Sequence, residues 1–299
     1  MAKIPVERTI SGAYSFAFKN ILTVIGIAWL PYVLVFALIA GLVLLMVPGL
    51  TAAGGPNPAA VAGLIGILPL IVFLYLIAKS MVAVGLMRRA LGLSSGPVLA
   101  YFSLSAPVWR MLGAMILLML IFTAMITAEA GIIGAVIGAG ASTKNGALDF
   151  LAVILVIVAV LWSIYFMVRI GFFLPAVVVA EERIGIGRSW QLGSGNFWRI
   201  FVVWLAIIIP VSMGASMLMQ AFYGNSLMTL VLAQQQGGNP DPAALLHGMM
   251  QIFIANGPYL AVIQLIEIIV MSGLVNGAIA SAYRSVTGTG DAAQSSAPA

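Results

Sequence analysis

FLAVILVIVAVLWSIYFMVRIGFFLPAVVVA, residues 150–180, holds one charged side chain, Arg169. As a helix this run is about 45 Å long at 1.5 Å per residue. That exceeds the ~30 Å hydrocarbon core of a bilayer. A strand of a membrane barrel would alternate apolar and polar residues. This run is apolar on every side, so it reads as a membrane-spanning helix whose backbone groups bond internally. Five more runs share the pattern: Ile21–Val47, Val61–Met87, Met111–Ala139, Phe201–Phe222 and Tyr259–Tyr283. The expected fold is an all-α integral membrane bundle of about six transmembrane helices with short cytoplasmic interfacial helices. Pro31, Pro69 and Pro210 fall inside spans and are expected to kink them.

Composition agrees. The 299 residues are 63% hydrophobic and 7% charged, against about 45–50% and ~25% in soluble domains. So few charges cannot cover a water-facing surface. There is no cysteine, which excludes disulfides and thiolate metal sites, and His247 is the one histidine, too few for a histidine-rich site. No metal or other cofactor is expected. The opening MAKIPVERTISG has no apolar signal-peptide core.

The charge of +5 is a topology signal, and no nucleic-acid partner is expected. Lys3, Arg8, Lys19, Arg88, Arg89, Arg110, Arg183, Arg188, Arg199 and Arg284 fall on one side of the spans, and Lys144 alone on the other. The positive-inside rule puts the basic side, with both termini, in the cytoplasm. Membrane lipids are the expected partners, with some attraction to anionic headgroups. Residues 1–287 form a single transmembrane domain, followed by a disordered tail, 288–299, of Gly, Ser, Ala and Pro. In the outer segment 223–258, Asp241 and Pro242 are expected to start a short interfacial helix carrying Leu246, Met249, Met250 and Phe253 on one face.

Three stretches look alike: AYSFAFKNILTVIGIAWLPY (13–32), AYFSLSAPVWRMLGAMILLML (100–120) and SWQLGSGNFWRIFVVWLAIIIP (189–210). Each has an aromatic (Tyr14, Tyr101, Trp190) six residues before a breaker (Asn20, Pro107, Asn196), then a long apolar span. The repeating unit would be a cytoplasmic amphipathic segment and two spans, used three times. A shared interfacial aromatic belt explains the same pattern without duplication.

The most distinctive stretch is PAVVVAEERIGIGRSWQLGSGNFWRIF, Pro175–Phe201. Arg188 and Arg199 flank Trp190, Phe197 and Trp198, the mix of a helix lying at headgroup level. Arg188, Trp190, Asn196 and Trp198 are therefore the expected interfacial anchor, with Asn196 or Ser194 ending one helix or capping the next. The stretch resembles two groups of bacterial six-span proteins, the YciC-like family and the glycerophosphodiester phosphodiesterase membrane-domain family. The matching residues are Pro175, Glu181 or Glu182, Arg188, Ser189, Trp190, Gly195, Asn196, Phe197 and Trp198. The resemblance implies a bundle in the bacterial cytoplasmic membrane. It implies no catalysis, because in those phosphodiesterases the chemistry lies in a separate soluble domain.

Ionisable residues inside spans are costly and mark candidate sites. Here they are Lys79, Glu129, Arg169 and Glu267, the candidate substrate-binding residues. Helical rise puts the bases toward the inner half and the acids toward the middle or outer half. The bland reading is that the bases snorkel and the acids are paired or protonated. The functional one is a polar cluster with Gln264 and Asn276, in which Glu267 and Arg169 are the preferred pair. Gly134-x-x-x-Gly138 and Gly273-x-x-x-Gly277 have helix-packing spacing, His247 reads as a surface residue, and the methionines read as packing. No nucleophile–base pair, metal set or phosphate cradle is recognisable, so no enzyme is expected. Two roles remain: an accessory or lipid-interacting membrane protein, and a small permease using the buried charges.

Overall fold

Asn57 and Asn145 each accept a hydrogen bond from the backbone N–H two residues on, at Ala59 and Ala147, and so start long helices where the apolar runs begin. Ser105 ends an extended segment, and Pro107 occupies the first turn of the next helix, where its missing donor costs nothing. The computed structural model describes residues 2–50, 57–96, 98–236 and 242–288. The elements among them are α1 (Val6–Lys19), α2 (Ile21–Leu50), α3 (Pro58–Ala90), α4 (Ala106–Thr143), α5 (Gly146–Gly171), α6 (Leu174–Ala180), α7 (Ile186–Gly193), α8 (Phe197–Gln236) and α9 (Pro242–Thr287). The fold is an all-α bundle. Six segments are long and apolar enough to cross a membrane: Ile21–Leu42, Ile65–Ala90, Ala106–Thr143, Gly146–Ala180, Phe197–Phe222 and Ile254–Thr287.

The expected elements are altered in two places. The span 150–180 is broken at Phe172–Phe173, where α5 ends and α6 restarts with Pro175 in its first turn; proline cannot continue the hydrogen-bond ladder. The short interfacial helix expected after Asp241 is not separate, because α9 runs from Pro242 through Pro258 to Thr287 as one helix. Asp241, the side chain of His247 and the tail 289–299 lie outside the described residues. Prolines 31, 69 and 210 all sit inside continuous helices.

The three similar stretches differ in structure: two have a helix before the breaker and one does not. In the first stretch α1 precedes the break at Asn20, and in the third α7 precedes Asn196. In the second stretch residues 92–96 and 98–105 are not helical, and Gly92 and Gly96 have positive φ. The chain at Val98–Leu99 instead packs against α2. The Trp29 indole donates to the Leu99 carbonyl at 2.8 Å. A Cβ on Gly26 would stand 1.8 Å from the Val98 oxygen, so only glycine admits this packing.

Burial concentrates at the charged end of the bundle. Phe172, Phe173, Met81, Met87, Met111, Ile200 and Leu274 pack there with Ile4 from the N-terminal segment. The chain before α1 is held by α8. The Ile4 N–H donates to Asn196 Oδ1 at 3.0 Å, Asn196 Nδ2 donates to the Ala2 carbonyl, and Arg199 donates to the Ile4 carbonyl at 2.9 Å. The Tyr14 hydroxyl ties α1 to the Ala206 carbonyl at 3.0 Å.

Of the two glycine spacings, Gly273 and Gly277 pack: a Cβ there would meet Val24 at 3.0 Å and the Ala13 backbone at 3.1 Å. Gly134 and Gly138 have nothing within 4 Å of such a Cβ, so they join no helices among the described residues.

Candidate functional site

Polar side chains from three spans, α2, α3 and α9, converge on one cavity. Lys79, Tyr75 and Ala83 on α3, Tyr32 on α2, and Gln264, Glu267, Ser272 and Asn276 on α9 line a cavity of about 280 Å³. Met115 of α4 and Pro175 of α6 complete its wall. The α6 restart is thus what brings a proline-led turn beneath the cavity.

The charges there are not matched internally. Glu267 accepts one hydrogen bond, from the neutral amide of Gln264 at 3.2 Å. Lys79 takes part in none of the ion pairs found among the described residues, which join Arg110 to Glu182 and both Arg183 and Arg188 to Glu181. Asn276 is 6% exposed. Its amide nitrogen donates to the Ser272 carbonyl at 2.8 Å, while its Oδ1 is buried without a partner. The Tyr32 and Tyr75 rings lie 6.2 Å apart between centroids.

A second cavity, about 470 Å³, adjoins the first. It is lined by Phe36, Ile39 and Leu44 of α2, Met219 of α8, and Leu260 and Ala261 of α9. Its walls are apolar except at Gln264, which lines both cavities. A polar compartment with opposite charges therefore opens beside an apolar groove.

The four expected substrate-binding residues separate. Lys79 and Glu267 share the cavity with Gln264 and Asn276. Glu129 does not join them and accepts from the Ser163 hydroxyl at 3.3 Å, between α4 and α5. The expected Glu267–Arg169 pair is not formed. Arg169 donates to the Tyr165 hydroxyl, and its guanidinium carbon lies 4.0 Å from the Trp190 ring centroid. Its position on α5 turns it toward α7, so π faces meet this cation where a carboxylate was expected.

The expected anchor also divides. Trp198 is 72% exposed, as a lipid-facing aromatic would be. Trp190 covers Arg169 and packs edge-on against Tyr165. Asn196 is 2% exposed and secures the N-terminal segment. Arg188 donates to Glu181 at 3.1 Å, Arg183 reaches the other carboxylate oxygen at 2.6 Å, and the Tyr283 hydroxyl donates to Glu181 at 3.3 Å. Burial alone would raise the Glu181 pKa, but the hydrogen bonds from Arg183 and Arg188 outweigh it and hold the carboxyl below its ordinary value.

Reading the chain alone missed Tyr32, Tyr75 and Ser272. The available signal was position: both tyrosines stand well inside their spans, away from the interfacial belt where tyrosine is common. Among the described residues no three His, Cys, Asp or Glu side chains converge as a metal site. No protein-family model, curated protein or solved structure matches the chain.

Proposed function

We propose that this chain is a multi-pass protein of a bacterial cytoplasmic membrane, both termini inside, that binds an amphiphile within the bundle. The polar part of the ligand occupies the Lys79–Glu267 cavity, and its apolar part lies in the groove beyond Gln264. The observation that carries this is the shared Gln264 wall, which joins a polar chamber to an apolar one. Small-molecule sites are typically mostly apolar with a few placed polar groups, and an apolar groove within a span is a surface for hydrocarbon. The role is accessory or lipid-handling and not catalytic, in line with the resemblance of Pro175–Phe201 to six-span membrane domains.

The test uses the full chain purified in mild detergent. Native mass spectrometry should find a co-purifying amphiphile, and Ala261→Trp, which fills the groove, should reduce its occupancy several-fold. Equal occupancy in a folded Ala261→Trp protein would overturn the assignment.

Permeation is the second reading, favoured by the unpaired Lys79 and Glu267 in one cavity. The chain has no cysteine, so Ser272→Cys reports access cleanly. Labelling by an impermeant reagent from both faces supports a conducting path; labelling from neither supports binding alone.

A further inference from the structure

Resting on that reading, we infer that the bound amphiphile is zwitterionic, with an anionic group and a primary ammonium in one head. Lys79 and Glu267 line the same cavity, yet no ion pair joins them, and Glu267 has only the Gln264 amide. Lys79 is exposed and Glu267 half-buried in the bundle, but both lie within spans, and a charge in the hydrocarbon region requires a compensating partner. An anionic head satisfies Lys79 and places a second negative charge near Glu267. A cationic head does the reverse. A head carrying both charges compensates both residues and keeps the cavity neutral.

Two further features select the cation. Tyr32 and Tyr75 both line the cavity, and aromatic rings attract an ammonium. The buried Oδ1 of Asn276 lacks a donor, and only an N–H or O–H group can supply one. A quaternary ammonium has no such hydrogen, so a primary ammonium fits better. The anionic group belongs to Lys79, a compact charge that suits phosphate or carboxylate.

The experiment titrates the detergent-solubilised full chain with phosphatidylethanolamine, phosphatidylcholine, phosphatidylglycerol and chain-free phosphoethanolamine, read by displacement of a fluorescent lipid. Phosphatidylethanolamine should bind roughly tenfold more tightly than the choline or glycerol lipids, the scale of one charge-assisted hydrogen bond. Glu267→Gln should erase the preference over phosphatidylglycerol, and Asn276→Leu the preference over phosphatidylcholine. An unchanged ethanolamine-to-glycerol ratio in folded Glu267→Gln would overturn the inference. So would a pattern in which Lys79→Gln and Glu267→Gln each destabilise, the double variant recovers, and lipid selection never changes, since the two residues would then serve each other. Phosphoethanolamine binding as tightly as the lipid would keep the zwitterion and overturn the amphiphile reading. Failure of every lipid to bind the unaltered chain would overturn both.

Discussion

Arg169 lies against the face of Trp190, its guanidinium carbon 4.0 Å from the ring centroid. A cation within a span is thereby held by aromatic rings and by the Tyr165 hydroxyl. Trp190→Leu should destabilise the protein by about 1–2 kcal/mol and Trp190→Phe by less, measured by thermal unfolding in detergent. Because Arg169 and Glu267 do not meet, a double-mutant cycle of Arg169→Met with Glu267→Gln should give a coupling below about 0.5 kcal/mol. A coupling well above that would restore the ion pair.

The Glu181 cluster carries a pH dependence. Its carboxyl is held below the ordinary value of 4.5 by Arg183 and Arg188. A depressed folded pKa contributes stability that is present above the unfolded value and lost as pH falls through the folded one. Unfolding temperature should therefore drop as pH is lowered below about 4.5, and Glu181→Gln should flatten that acid limb while costing roughly 1 kcal/mol near neutrality. An unaltered acid limb in Glu181→Gln would place the effect elsewhere.

The two glycine pairs should behave differently. Gly277→Leu drives a side chain into Ala13 and Phe16 and should cost about 1–3 kcal/mol or more through overpacking. Gly134→Leu meets open space and should change the monomer's stability by less than about 0.5 kcal/mol. Equal losses at both sites would show that Gly134 packs against something beyond this chain.

Orientation is testable with single cysteines. Asn145 and Ser95 are both exposed, at opposite ends of spans. Asn145→Cys should react with an impermeant reagent added outside intact cells, and Ser95→Cys only after permeabilisation. The reverse would invert the topology. Ser189 is fully buried and donates to the Ile170 carbonyl, so it is a poor reporter.

Spans and loop charges were legible because hydropathy and charge are local properties of the chain. The meeting of Lys79 with Glu267, Gln264 and Asn276 was half legible: α9's own polar residues could be grouped, but no spacing tells which of the three other charged spans they face. Glu267 and Arg169 have compatible depths along their helices, and depth was the wrong coordinate. Rotation about the helix axis decides contact, and α5 turns Arg169 toward α7. Trp190 read as an anchor because aromatics near a span's end usually are; its partner on α5 is invisible until the chain folds back. The middle stretch has the same aromatic and breaker without a helix before them, and the chain ahead of it turns at Gly92 and Gly96.

The clasp of Asn196 and Arg199 on Ala2 and Ile4 has a consequence for biogenesis. The bonded partners are 192 residues apart, so at ribosomal speeds of ~5–20 residues per second, the N-terminal segment waits on the order of ten seconds or more for the residues that hold it. The glycines of α9 that seat α1 arrive later still. Through most of synthesis α1 therefore lacks the α8 and α9 contacts that hold it in the finished fold. Assembly is completed from the last span backward, the newest helix closing over the oldest.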